Sequence, residues 1–168
     1  MTTMAQAHNQ NVQDNLDPTR DPAAIIKTQA QVADLKKLFA ATAEARAQRQ
    51  KAKPLYERLG GRAGLEPVVA DIIELHFTEE ITKPLMGGVD KQKLITLVVE
   101  WLCRASGGAE KYTGRDMVSA HAHLNMTDVH FMAVGDQIMR VLAKYKVPEP
   151  EQQEVLCAIV AHYDDVIR

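Results

Sequence analysis

The chain has 168 residues, 46% of them hydrophobic, and a formal charge of −2, which is enough apolar material for one core plus an appendage. A near-balanced charge with no concentrated basic patch excludes a nucleic-acid or anionic-membrane surface. Two cysteines, Cys103 and Cys157, sit in apolar helical pattern, so they read as buried free thiols and exclude a disulfide framework.

Residues 1–20 are rich in Asn, Gln, Asp, Thr and Ala and read as a disordered polar tail. No apolar run there suits a signal peptide, and no segment approaches the ~20 apolar residues of a membrane span. A soluble, cytoplasmic protein is the expectation. Asp21-Pro22 marks a helix start, an N-cap acceptor followed by proline at the first helical position. Helical pattern then runs to about Lys51, giving an extension over 21–53. Its narrow stripe, Val32, Leu35, Phe39 and Ala43, needs a covering surface. That surface is the main domain or a second copy in a homodimer; without either, the helix frays. Pro54 ends the unit.

The main domain occupies 54–168. Residues 55–58 predict a short helix broken at Gly60-Gly61, followed by a helix over Leu65–Phe77 and a loop over Pro84–Asp90. Asp90 caps a helix over Lys91–Cys103 whose apolar arc is broad enough for burial. Gly107-Gly108 stops it. A loop with Tyr112 leads to a short helix over Met117–Leu124. Thr127-Asp128 opens another, Val129 to Lys144, and a turn at Val147–Pro150 precedes a last helix over Glu151–Ile167. No strand pattern appears, so the fold class is all-α.

The motifs fall in a telling order: Leu55-Tyr56-Glu57-Arg58-Leu59-Gly60-Gly61, Gly107-Gly108, Lys111-Tyr112-Thr113-Gly114-Arg115-Asp116-Met117, Ala120-His121, then His130-Phe131 with Ala133-Val134. Order and spacing over about 55–165 resemble the first group of truncated haemoglobins. The resemblance implies a two-over-two helical sandwich around haem b (iron protoporphyrin IX), here with an extra N-terminal helix. It places His121 as the iron ligand, a role suited to neutral imidazole. Lys111 and Arg115 fall at the haem edge, where a guanidinium can pair a propionate. Tyr112, Met117, Leu124, Phe131 and Val134 fall on the pocket wall. His123 is two residues from His121 and faces away on a helix. His130 is read as structural.

On the distal side the sequence departs from the family. Ile73 falls where many members carry tyrosine, Leu94 and Val98 where many carry glutamine, and Leu97 where some supply a polar group. Leu85 or Met86 stands near the usual phenylalanine, and Trp101 closes the pocket or fills the core. Every distal position is apolar. Bound O₂ is stabilised by a donor worth about 1 kcal/mol each. Losing one or two weakens O₂ by roughly five- to thirty-fold and favours CO and NO. No side chain is expected at the sixth iron position; His76, one turn from Ile73, is the sole candidate and reads as a solvated helix-edge residue.

The leading function is therefore reversible binding of O₂, CO or NO at a pentacoordinate iron. NO dioxygenation, which requires a reductase, is the enzymatic alternative. A haem-less globin-like interaction module is the third. Covalent haem attachment through His162 is weakened by a shift of about two residues from the relatives that carry such a histidine.

Overall fold

The computed structural model describes residues 17–168. The polar tail expected over 1–20 lies outside the described residues as far as residue 16. From Asp17 the chain forms a 3-10 turn, Pro18–Arg20, capped by the Asp17 carboxylate on the Thr19 amide. Buried Thr19 gives its carbonyl to the Thr127 hydroxyl at 2.7 Å, and Arg20 donates to the Asn125 carbonyl at 3.1 Å. The start of the extension is thus tied to the loop that follows His121.

Asp21 caps helix α1 (Pro22–Ala41), accepting from the Ala23 and Ala24 amides. The expected single helix to Lys51 is broken at Thr42, and α2 follows (Ala43–Ala52). The cause is local competition for backbone acceptors. The Thr42 hydroxyl donates to the Leu38 carbonyl at 2.8 Å, and Arg46 donates to the Phe39 carbonyl at 2.7 Å. The apolar stripe packs on this chain's own domain: Val32 and Phe39 are 2% and 7% exposed, clustered with Phe131 and Val160. Ala43, the expected last member, is exposed.

Among the described residues there is no strand, as the all-α expectation required. The domain runs α3 (Leu55–Arg58), α4 (Gly61–Thr78), a 3-10 turn (Lys83–Met86), α5 (Lys91–Ala105), α6 (Met117–His121), a 3-10 turn (Ala122–Leu124), α7 (Asp128–Lys144), α8 (Glu149–Val160) and α9 (Tyr163–Val166). Helix α4 packs on α5 and α7, and α7 packs on α8. Leu65, Val69, Ile73, Val99, Cys103, Leu142 and Val155 form the sealed centre of the core. Burial pushes the Cys103 thiol up to about 11, so it stays protonated; both cysteines are free, as expected. The last helix was expected to be continuous to Ile167 but breaks at Ala161–His162. The break brings the Tyr163 hydroxyl onto the Asp128 carboxylate. No helix among the described residues is long and apolar enough to cross a membrane.

The turn from α3 into α4 depends on glycine. Gly60 and Gly61 have φ of +84° and +66°, a region that penalises any Cβ. Gly64, one turn on, meets a different constraint: a Cβ there would lie 2.2 Å from the Leu59 carbonyl oxygen. A backbone atom cannot swing aside as a side chain can. Gly64→Ala should therefore destabilise by about 1–3 kcal/mol, the usual cost of overpacking. Urea unfolding checks this; an unchanged midpoint would show that α3 can move.

Candidate functional site

A cavity of about 400 Å³ opens between the helices, within the ~300–1,000 Å³ typical of ligand and cofactor sites. Helix α5 supplies one wall. Leu94, Leu97, Val98 and Trp101 recur at steps of three and four, so they share one face, and all four line the cavity. Helix α4 adds Ile73, 1% exposed, beside Val69 and Ile72. Phe131 and Val134 come from α7, Leu124 from the turn before it, and Met117 and His121 from α6. Tyr112 and Arg115 enter from the preceding loop.

Short as it is, α6 is well anchored. The Asp116 carboxylate caps it, accepting from the Ser119 amide at 2.9 Å and the Ser119 hydroxyl at 2.7 Å. That fixes His121 at its end. The His121 Nδ1 lies 2.8 Å from the Met117 carbonyl oxygen, which can only accept, so Nδ1 carries the proton. Burial lowers the imidazole's pKa, with the Met117 bond opposing it, so the ring is neutral and Nε2 holds a free lone pair. A histidine whose second nitrogen donates to a carbonyl has the form of a metal-ligating histidine.

Of the thirteen predicted site residues, twelve line this cavity. Lys111 does not: it is exposed, between the half-buried Glu110 and Tyr112. Tyr112 contributes its ring, since its hydroxyl donates to the Arg115 carbonyl at 2.7 Å. His123, expected to face away, is exposed yet touches the cavity rim. His130 is built into the start of α7, where its Nδ1 accepts from the Thr127 amide at 3.1 Å.

Two other histidines differ from expectation. His162 lines the cavity beside Trp101, with ring centres 5.7 Å apart, because the chain breaks there. His76 was expected to be solvated. It lines the cavity instead, with Nδ1 2.6 Å from the Gln137 side-chain oxygen, and desolvation lowers its pKa. Its signal was legible: residue 76 is three positions after the lining residue Ile73, on the same helix face. Buried Gln137, 1% exposed, had no such signal, because one polar residue on an apolar helix does not disclose its partner.

The fit to an iron porphyrin is good on these observations. The walls are apolar and large, His121 lines them with a free imidazole lone pair, and the Arg115 guanidinium lines them too, a partner for a carboxylate.

A family model described as bacterial-like globin matches residues 54–167. The chain is 32% identical over 119 residues to the group 1 truncated hemoglobin GlbN of Synechocystis sp., covering 67% of this chain and 96% of that one. With GlbN of Mycolicibacterium paratuberculosis it shares 31% over 112 residues, 66% of this chain and 82% of the other. The truncated hemoglobin from Tetrahymena pyriformis, Fe(III) form, superposes with a TM-score of 0.66 at 23% identity, covering 68% and 98% of the two chains. At that identity the likeness speaks of fold. The 2/2 hemoglobin from Synechococcus sp., in the cyanomet state with covalently attached heme, superposes with a TM-score of 0.65 at 28% identity, over 68% and 98%. The architecture is the two-over-two sandwich, with residues 17–53 as an addition to it.

Proposed function

This chain belongs to the bacterial-like globin family, and on that premise we propose that it holds haem b through His121 and binds diatomic gases in an apolar distal pocket. One observation carries the reading: the His121 Nδ1 is engaged by the Met117 carbonyl, leaving Nε2 free toward the cavity. When bound, the haem supplies an iron with one open coordination position. The residues supply the rest. His121 would hold the metal, Arg115 would pair a propionate, and Ile73, Leu94, Leu97 and Val98 would exclude water from the bound gas. None of those four can donate a hydrogen bond. O₂ is therefore held weakly, with CO and NO favoured. The protein is a carrier or sensor of gas before it is an enzyme. A homodimer through α1 has little left to use, since Val32 and Phe39 are covered and Ile26 and Leu38 are its exposed large apolar residues.

Optical spectra of the ferric, ferrous and CO-bound protein test this directly. A pentacoordinate ferrous spectrum that shifts on adding CO is expected; a spectrum that ignores CO would defeat the reading. His162 lines the same cavity, and the Synechococcus relative carries covalently attached heme. Acid–acetone extraction should nonetheless remove the haem here, since the histidine's register is shifted.

The apolar wall makes a quantitative prediction. Val98→Gln places one donor on the cavity face of α5. O₂ affinity should rise about five- to ten-fold, the value of one net hydrogen bond, mainly through slower dissociation. CO should change much less. Stopped-flow dissociation kinetics check this, and equal effects on both gases would mean that pocket shape sets affinity.

A further inference from the structure

The cavity wall that carries Ile73 also carries a histidine whose hydrogen-bonding state can be worked out atom by atom. Glu79, just past the end of α4, pairs with Arg140 of α7 at 2.8 and 2.9 Å, so it is an ionised carboxylate and can only accept. Gln137 of α7 therefore turns its amide nitrogen to Glu79, at 2.9 Å, and to the Thr82 hydroxyl, at 3.0 Å. The Gln137 carbonyl oxygen is left facing His76 at 2.6 Å. An amide oxygen can only accept, so the His76 Nδ1 must carry the proton. In the neutral ring, Nε2 is then a bare lone pair.

That Nε2 takes no hydrogen bond among the described residues, and it is not a sealed, unpartnered atom either. His76 lines the gas cavity, and Nε2 is the ring nitrogen left without a partner to meet a ligand there. Apolar side chains of α5 line the same cavity; the charged groups at the start of that helix are Asp90 and Lys93, which line it, and Lys91, which pairs with Glu74 of α4 and lies over the Phe77 ring. The cavity side of α4 thus offers an acceptor and no donor. Such a group does nothing for O₂, which needs a donor. It suits a ligand that arrives with a proton to lose.

We propose that His76, clamped by Gln137, is a base for small weak acids H–X, such as hydrogen cyanide or hydrogen sulfide, which this protein takes up as anions on the ferric haem. This rests on the haem reading above. In the step, the H–X bond would break, its proton would pass to the His76 Nε2, and the bonding electron pair would stay on X⁻, which the ferric iron would hold. No electron is transferred, and Glu79, through the Gln137 amide, faces the imidazolium that forms. The bonds from His76 through Gln137 and Glu79 end on Arg140 at the surface and fix the ring's orientation.

Hydrogen cyanide is the probe, added to the full haem-loaded ferric chain. The ratio of its association rate to that of CO with the ferrous protein should fall about 10²-fold in His76→Leu, the low end of what a positioned base supplies. Gln137→Leu, which frees the tautomer but keeps the imidazole, should give a smaller fall. Nitrogen-15 NMR of the imidazoles in the diamagnetic CO complex should show His76 with Nδ1 protonated and Nε2 bare. An unchanged ratio in His76→Leu overturns the proposal, as does an Nε2-protonated ring. So does a resting ferric spectrum of bis-imidazole type that disappears in His76→Leu, because His76 would then be an iron ligand. If no CO spectrum forms at all, the haem reading has failed instead.

Discussion

Replacing His121 with alanine should leave a folded chain that takes up almost no haem. The fold does not depend on this side chain. Helix α6 is capped by Asp116 through Ser119, and His121 is half-buried outside the sealed core. On the proposed reading, haem retention does depend on it. Apolar burial alone would hold a porphyrin loosely, while a bond from the His121 Nε2 to its iron would hold it firmly. Outer partners of metal ligands cost about 10–100-fold in affinity when removed, and the ligand itself should cost more than that. The Met117 carbonyl adds directional control, since the bond it accepts sets both tautomer and ring plane. Haem titration followed by Soret absorbance, with circular dichroism as the folding control, reads both halves. Imidazole added to the variant should restore colour by filling the vacated space. A normal Soret band without imidazole would move the ligand to another cavity histidine, His162 or His123.

What could be read in the sequence was mostly what repeats. The apolar steps of α5 predicted a wall, and Leu94, Leu97, Val98 and Trp101 form it. The Asp21-Pro22 start held to the residue, because capping is a contact between neighbours in sequence. The glycine pair before α4 was legible for the same reason, while the close approach of Gly64 to Leu59 was not, since it depends on the angle between two helices. Breaks inside helices were missed at Thr42 and at His162. Each arises from a side chain or a docking contact that competes with the helical ladder, and neither leaves a proline or glycine as a mark. His76 shows the other limit. Its face was predictable from Ile73, but its tautomer follows from Gln137, 61 residues away, and from what Glu79 does to Gln137.

The largest effect on stability should come from Glu154, at the junction of the extension with the globin domain. Its side chain is 6% exposed and meets Arg58 at 2.5 Å and Arg49 of α2 at 2.6 Å; Arg58, 13% exposed, also meets Glu151 at 2.8 Å. Glu154→Ala leaves the buried Arg58 charge with one partner of two. Breaking a buried pair costs about 3–5 kcal/mol, and the surviving Glu151 contact puts this case near the lower end. Arg49 adds little, because it is 39% exposed and screened. A loss of about 3 kcal/mol lowers Tm by roughly 6–12 °C in a chain of this size. Acid sensitivity should change with it. Burial pushes the Glu154 carboxyl upward, but Arg58 and then Arg49 outweigh it, so its pKa lies below the usual glutamate range. A lowered carboxylate pKa contributes stability that is full above the ordinary glutamate pKa and is lost as pH falls through the folded value. Thermal melts from neutral to acid pH should therefore show Glu154→Ala starting lower and declining less steeply than the parent. The paired exchange Arg58→Met with Glu154→Leu removes both charges and should recover part of the loss, since a well-packed apolar pair can replace a buried ion pair while Glu151 loses its Arg58 partner. If Glu154→Ala melts with the parent at both ends of the range, the arginines are solvated in solution and their pairs with Glu154 contribute nothing to the junction.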